Sequence, residues 1–155
     1  MRRDYFTLDA TGVDWVDEGD DPERPTVTID FDGPTGTLDG RLSRGGEYLD
    51  GDEIDVTFRL KDDIDTDDGR GVVSVTDRVT GEFVLEINEE AEDVLRFVRA
   101  ARRYGEAAND DTRYRVIVAI DGEKAVTYDK STFLVYDPAG QLLRKHSLIP
   151  SGVEL

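Results

Sequence analysis

The chain has no cysteine, a single histidine (His146), a single tryptophan (Trp15) and a single methionine, and its bases number nineteen against thirty-six acids. Without cysteine there can be no disulfide, thiol nucleophile, zinc–thiolate site or thiolate-held iron–sulfur cluster. One imidazole is left for every role that histidine can play. No apolar run approaches the roughly 18 residues of a membrane-crossing helix, so no membrane span is expected. The glycine fingerprints of phosphate and dinucleotide loops are missing, as are the G-x-S-x-G elbow and the H-E-x-x-H pair, and no cofactor is expected.

What is abundant is negative charge. The formal net charge is -17, and fifteen of the nineteen bases are Arg. Of the acids, 22 lie in residues 1–80 and 14 in residues 81–155, so no acidic tail carries them. A coat of this kind repels itself in dilute buffer and is tolerable where molar salt shrinks the screening length to roughly 3 Å. Disorder would also raise net charge, but disordered chains lack periodic β-branched and aromatic residues, and this chain has clean runs of them. The reading is a salt-adapted folded protein.

At 155 residues the length suits one domain, 1–155, with an acidic loop at 17–25 and an apolar tail at 147–155. Arg2-Arg3 is followed at once by Asp4, and Asp9 and Asp14 stand where an export signal would be apolar, so a cytoplasmic location is expected.

Alternation marks the strands. Phe6 and Leu8 point one way in a short first strand, Val27, Ile29 and Phe31 alternate with polar residues, and so do Ile54, Val56, Phe58 and Leu60. Residues 33–53 hold six glycines and read as irregular hairpin structure around Leu38, Leu42, Tyr48 and Leu49. Val73, Val75 and Val79 lead through Thr80-Gly81 into Phe83, Leu85 and Ile87, a hairpin. Val116–Ile120 and Phe133–Tyr136 are unbroken apolar runs, which places them as central strands covered on both faces. Asp121-Gly122 is a two-residue hairpin turn into Val126 and Tyr128, and Asp137-Pro138-Ala139-Gly140 is a type I turn.

One amphipathic helix is expected over about 89–104, with Asn88 as N-cap and Gly105 as C-cap. Ala91, Val94, Leu95, Val98 and Ala101 share its apolar face, with Phe97 and Tyr104 at the edge. Acids fill its first turns and Arg96, Arg99, Arg102 and Arg103 its last, complementing the helix dipole. The fold class is α+β, predominantly antiparallel, sandwich or barrel-like with about 7–9 strands, the C-terminal meander lying between the helix and the N-terminal strands.

Three features offer chemistry. Asp63, Asp65 and Asp67 have the opening rhythm of a calcium loop, but Gly69 falls one place late and Ser74 stands where a bidentate Glu is needed, so a solvated turn is the plainer reading. Arg96, Arg99 and Arg103 share a helix face that could clamp an anion, although Glu92 can pair with Arg96 at i,i+4. Nucleic acid is an unfavoured partner, because phosphate contacts weaken steeply with salt and the surface is negative. His146 beside Ser147 makes no dyad, since adjacent side chains on a strand face opposite ways, and it reads as a surface histidine at a strand end. Trp15, and Leu148 and Ile149 in the tail, are apolar anchors that dock either on the protein's own core or on a partner.

The runs RRDYFTLD, PTVTIDFDGP, VLRFVRAARRYGE and YDKSTFLVYDPAGQLLRKHSLIPSGVEL resemble a family of small acidic proteins from haloarchaea, described only as a domain of unknown function. The resemblance covers nearly the whole chain and is most distinctive in its C-terminal run. It implies a haloarchaeal source and brings no activity, cofactor or catalytic residue. The functional expectation is therefore a non-enzymatic interaction module that binds another protein or a second copy of itself through a sheet edge or the apolar tail. The alternative is a small-anion or metal-binding protein using the arginine face or the 63–67 loop.

Overall fold

A computed structural model describes residues 5–19, 21–34, 36–66, 68–108 and 112–149. In chain order its elements are β1 (Phe6–Thr11), α1 (Trp15–Glu18), β2 (Thr26–Phe31), α2 (Thr37–Arg41), β3 (Ser43–Arg44), β4 (Glu47–Tyr48) and a 3₁₀ turn at Gly51–Glu53. They continue with β5 (Ile54–Leu60), β6 (Arg70–Asp77), β7 (Phe83–Glu90), α3 (Ala91–Ala108), β8 (Tyr114–Ile120), β9 (Glu123–Lys130), β10 (Leu134–Tyr136) and a 3₁₀ turn at Arg144–His146. The fold is α+β, as the alternating runs and the one long amphipathic stretch require.

Two four-stranded sheets, in the orders β1-β2-β8-β9 and β10-β5-β6-β7, carry the architecture, and β3-β4 is a separate small hairpin. Five of the seven strand pairings are antiparallel, while β2–β8 and β5–β10 are parallel. Both sheets are open, which excludes the barrel alternative, and the described strands number ten because the 33–53 stretch adds a hairpin of its own. In that stretch Leu38 and Leu42 are wholly buried, so its glycine-rich loops are tied to the core by α2.

The C-terminal half is not a continuous meander. The β8–β9 hairpin forms around Asp121 and Gly122, both at positive φ as a type I′ turn demands, and it stays with β1 and β2. β10 instead crosses to the other sheet and pairs with β5 at its edge. The apolar run at 133–136 is thus not a central strand; Val135 is buried inward and Phe133 is covered by the C-terminal segment, through hydrogen bonds in both directions with Leu148. β8 is interior to its sheet, but Ile117 and Ile120 are only half-buried. The Asp137 carbonyl accepts from the Gly140 N–H at 2.9 Å, the closure expected of the Asp-Pro-Ala-Gly turn.

α3 begins and ends later than its sequence pattern suggests. Glu89 and Glu90 complete β7, Asn88 is a strand residue, and the first free helical N–H, that of Ala91, donates to the Gly69 carbonyl at 2.8 Å. A neighbouring chain segment thus does the work of a cap. Gly105 lies inside the helix, where the missing Cβ makes room for the Arg113 side chain, whose Nε would stand 2.9 Å from it. The buried stripe of α3 is Ala91, Val94, Phe97, Val98, Ala100 and Ala101, turned toward Phe97 and away from the half-buried Leu95. Phe97, Tyr114 and Phe133 meet edge-on or tilted, with ring centroids 5.6–6.5 Å apart, and join α3 to β8 and to the approach of β10. The helix packs on both sheets through one shared core, so it does not sandwich a meander against the N-terminal strands.

Candidate interaction surface

The register of the β10-β5-β6-β7 sheet sorts its residues into two faces. Val56, Phe58, Val73, Val75, Leu85, Ile87 and Val135 face the core, while Thr57, Arg59, Val72, Ser74, Glu86, Leu134 and Tyr136 face outward. A bulge between Val75 and Thr76 then shifts β7 by one residue. Its effect is that Val84 and Leu85 are both buried in succession and Phe83 turns outward, opposite Thr76, with 55 % of its surface exposed.

Phe83, Tyr136, Pro138 and Val72 thereby line a shallow hollow of about 460 Å³, with Arg59 and Lys61 at its side. The partners of these two cations are neutral: Arg59 donates to the Pro138 carbonyl at 2.9 Å, and Lys61 to the Asn88 side-chain oxygen at 2.9 Å. Glu86 lines the same hollow, so both signs of charge border it. Aromatic side chains and Arg around an open hollow are the residue types that anchor protein interfaces.

The residues singled out from the sequence lie elsewhere. Arg96 is held by Asp14 and Asp17, not by Glu92, with Nη2 2.9 Å from Asp14 Oδ1 and 3.0 Å from Asp17 Oδ2. Asp17 and Glu18 belong to α1, so the acidic stretch from 17 opens with the end of a helical turn that Arg96 fastens to α3. Arg99 is exposed beside a hollow that also contains Asp68 and Glu92, and Arg103 is exposed. Two carboxylates already occupy the guanidinium of Arg96. Trp15 is buried, and its indole N–H donates to the Gly12 carbonyl.

In the tail, Leu148 is fully buried and exchanges both backbone hydrogen bonds with Phe133, while Ile149 is half-buried. Ser147 turns inward, accepting from the Val135 N–H and donating to the Leu143 carbonyl, each at 2.8 Å. Arg102 reaches across from α3 to the Ser147 carbonyl at 2.7 Å. His146 ends a 3₁₀ turn rather than a strand, and the rest of the tail, 150–155, lies outside the described residues.

Asp63 and Asp65 are exposed turn residues, and Asp67 lies outside the described residues. It is Asp62 that fixes this turn, accepting from the Arg70 N–H at 3.0 Å. A tighter acid group, which alternation and spacing did not point to, is Asp50, Asp52 and Glu53. Asp50 and Glu53 form a reciprocal capping box over the 3₁₀ turn, and Arg44 adds a 2.8 Å bond to Glu53. Lys130, buried on β9, donates to the Gly51 and Ile54 carbonyls at 2.7 Å. Burial, and then the charge of Arg78, lowers its pKa from the ordinary lysine value. Tyr128 beside it is pushed up to about 12 by burial and by Asp50. Asp50 and Glu53 thus close the turn on itself, and Lys130 holds it against β9.

Among the described residues no helix is long and apolar enough to cross a membrane. The model of the Family of unknown function (DUF5793) matches residues 1–155, and the chain belongs to that family. No curated protein and no solved structure matches it.

Proposed function

We propose that this member of a family of unknown function is a non-enzymatic, salt-adapted cytoplasmic interaction module that docks a protein partner on the outer face of the β10-β5-β6-β7 sheet. The observation that carries the reading is Phe83, a large aromatic left 55 % exposed beside Tyr136 while nearly every other large apolar side chain described is covered. Hydrophobic anchoring of this kind persists in molar salt, where long-range charge steering does not. Arg59 and Lys61 favour a partner with an acidic surface at short range, a description that includes a second copy of this chain, whose net charge is -17.

The test is light scattering and affinity capture in molar potassium chloride, comparing the native chain with Phe83→Asp and Arg59→Glu. The reading expects a self-complex or a captured partner that both variants lose at unchanged melting temperature. The same mass and the same captured proteins for all three chains would remove it. A second reading, a binder of small anions, draws support from Arg99 and Arg103, which have no ion pair among the described residues. Calorimetry with inorganic phosphate and with calcium in the same salt tests that reading and the metal-binding alternative together.

A further inference from the structure

Where the edge strand β1 of one sheet passes the edge strand β7 of the other, the interlayer space is incompletely filled. A slot of about 50 Å³ opens there, walled by Ala10, Ile29, Val73, Val94, Phe97 and Val116 from both sheets and α3. The one hydroxyl in its wall, on Tyr114, is consumed by a 2.6 Å bond to the Thr132 carbonyl, so the interior offers a ligand nothing but hydrocarbon. An apolar cavity of roughly 150 Å³ stays dry and accepts benzene. This smaller one suits a short alkyl chain.

The charged groups of the lining are two carboxylates, Glu89 at the end of β7 and Asp93 in the first turn of α3. Glu89 is half-buried, and burial, followed by the charge of Asp93, raises its pKa above the ordinary value. Arg70 is the nearby cation that acts against this shift, and its guanidinium is 3.9 Å from Glu90, on the same strand. An adjacent pair of acids over a hydrocarbon throat is complementary to one chemical shape, a compact cation carrying a short apolar stem.

We propose that the slot between β1 and the β7–α3 junction binds a short-chain alkylammonium ion, its stem among Ile29, Val73 and Val116 and its ammonium between Glu89 and Asp93. The site is independent of the sheet face carrying Phe83, so either can fail without the other.

The experiment follows the methyl resonances of Val73, Val94 and Val116 by NMR on the full chain in molar potassium chloride, during titration with ethylammonium, ethanol or propanoate, whose two-carbon stems suit a slot of about 50 Å³. Saturable shifts are expected with the ammonium, with affinity about tenfold weaker for the alcohol and none measurable for the carboxylate. Glu89→Gln combined with Asp93→Asn should reduce the ammonium to the level of the alcohol at undiminished melting temperature. Ala10→Met, which fills the mouth from an exposed strand position, should abolish the responses to both the ammonium and the alcohol. Absence of saturable shifts, equal affinity for all three probes, or full ammonium affinity in the Gln/Asn variant would each overturn the assignment.

Discussion

Arg44, in the small β3–β4 hairpin, donates through Nη2 to Asp77 Oδ2 at the head of the β6–β7 turn. The other oxygen of the same carboxylate accepts from the Val79 and Thr80 N–H groups. Partial desolvation pushes the Asp77 carboxyl up, but the Arg44 bond and the two backbone donors together pull it below the ordinary value of 3.8. An acid lowered on folding binds fewer protons folded than unfolded, so its stabilisation is present above the unfolded value and is lost as pH falls through the folded one. Urea unfolding across the acid range in molar salt should show stability falling below pH 3.8. In Asp77→Asn, which keeps an acceptor for the turn, that part of the slope should disappear.

Leu148 should behave as a core residue despite its place near the C-terminus. It is fully buried against Phe133, and truncation to Ala should cost about 2–5 kcal/mol, read from the urea midpoint at constant slope. A change in molecular mass at unchanged stability would instead make it a partner contact.

Gly71 and Gly40 should respond to alanine in opposite ways. A Cβ on Gly71 would stand 2.5 Å from both the Arg59 carbonyl oxygen and the Phe58 ring, in a strand paired on both sides. The expected loss is roughly 1–3 kcal/mol. Gly40, within α2, has nothing within 4 Å of that position, and there alanine should stabilise by about 0.4–1 kcal/mol. Chemical denaturation of the two single variants checks the sign.

The melting temperature should climb as potassium chloride is raised from dilute to molar, because mutual repulsion within a net charge of -17 is screened as the Debye length shortens. Calorimetric scans over that range provide the measurement. A melting point indifferent to salt would end the brine reading of the composition.

The strands were legible wherever one face is wet, since Val27, Ile29 and Phe31 or Ile54, Val56, Phe58 and Leu60 alternate without interruption. The hairpin at 121–122 and the turn at 137–140 were legible from turn chemistry. Phe83 was not, because simple alternation groups it with Leu85 and Ile87 on the buried face, and a bulge is set by packing across strands that local periodicity does not contain. The boundaries of α3 were misplaced for a similar reason: Gly69 caps it from a distant loop, and Gly105 answers to Arg113 and not to a helix end. Lys130 reads as one more surface base until the Gly51 and Ile54 carbonyls close over it.

The parallel ladders join remote stretches of chain, Thr26–Phe31 with Arg115–Ile120 and Thr57–Arg59 with Leu134–Tyr136. Neither sheet can be completed until the strands within residues 115–136 have been synthesised, and such long closures make for slow assembly. Half-built sheets must meanwhile wait with unsatisfied edges. Those open edges are the stage of assembly at which pairing with a wrong chain is easiest, well before the finished molecule meets any partner.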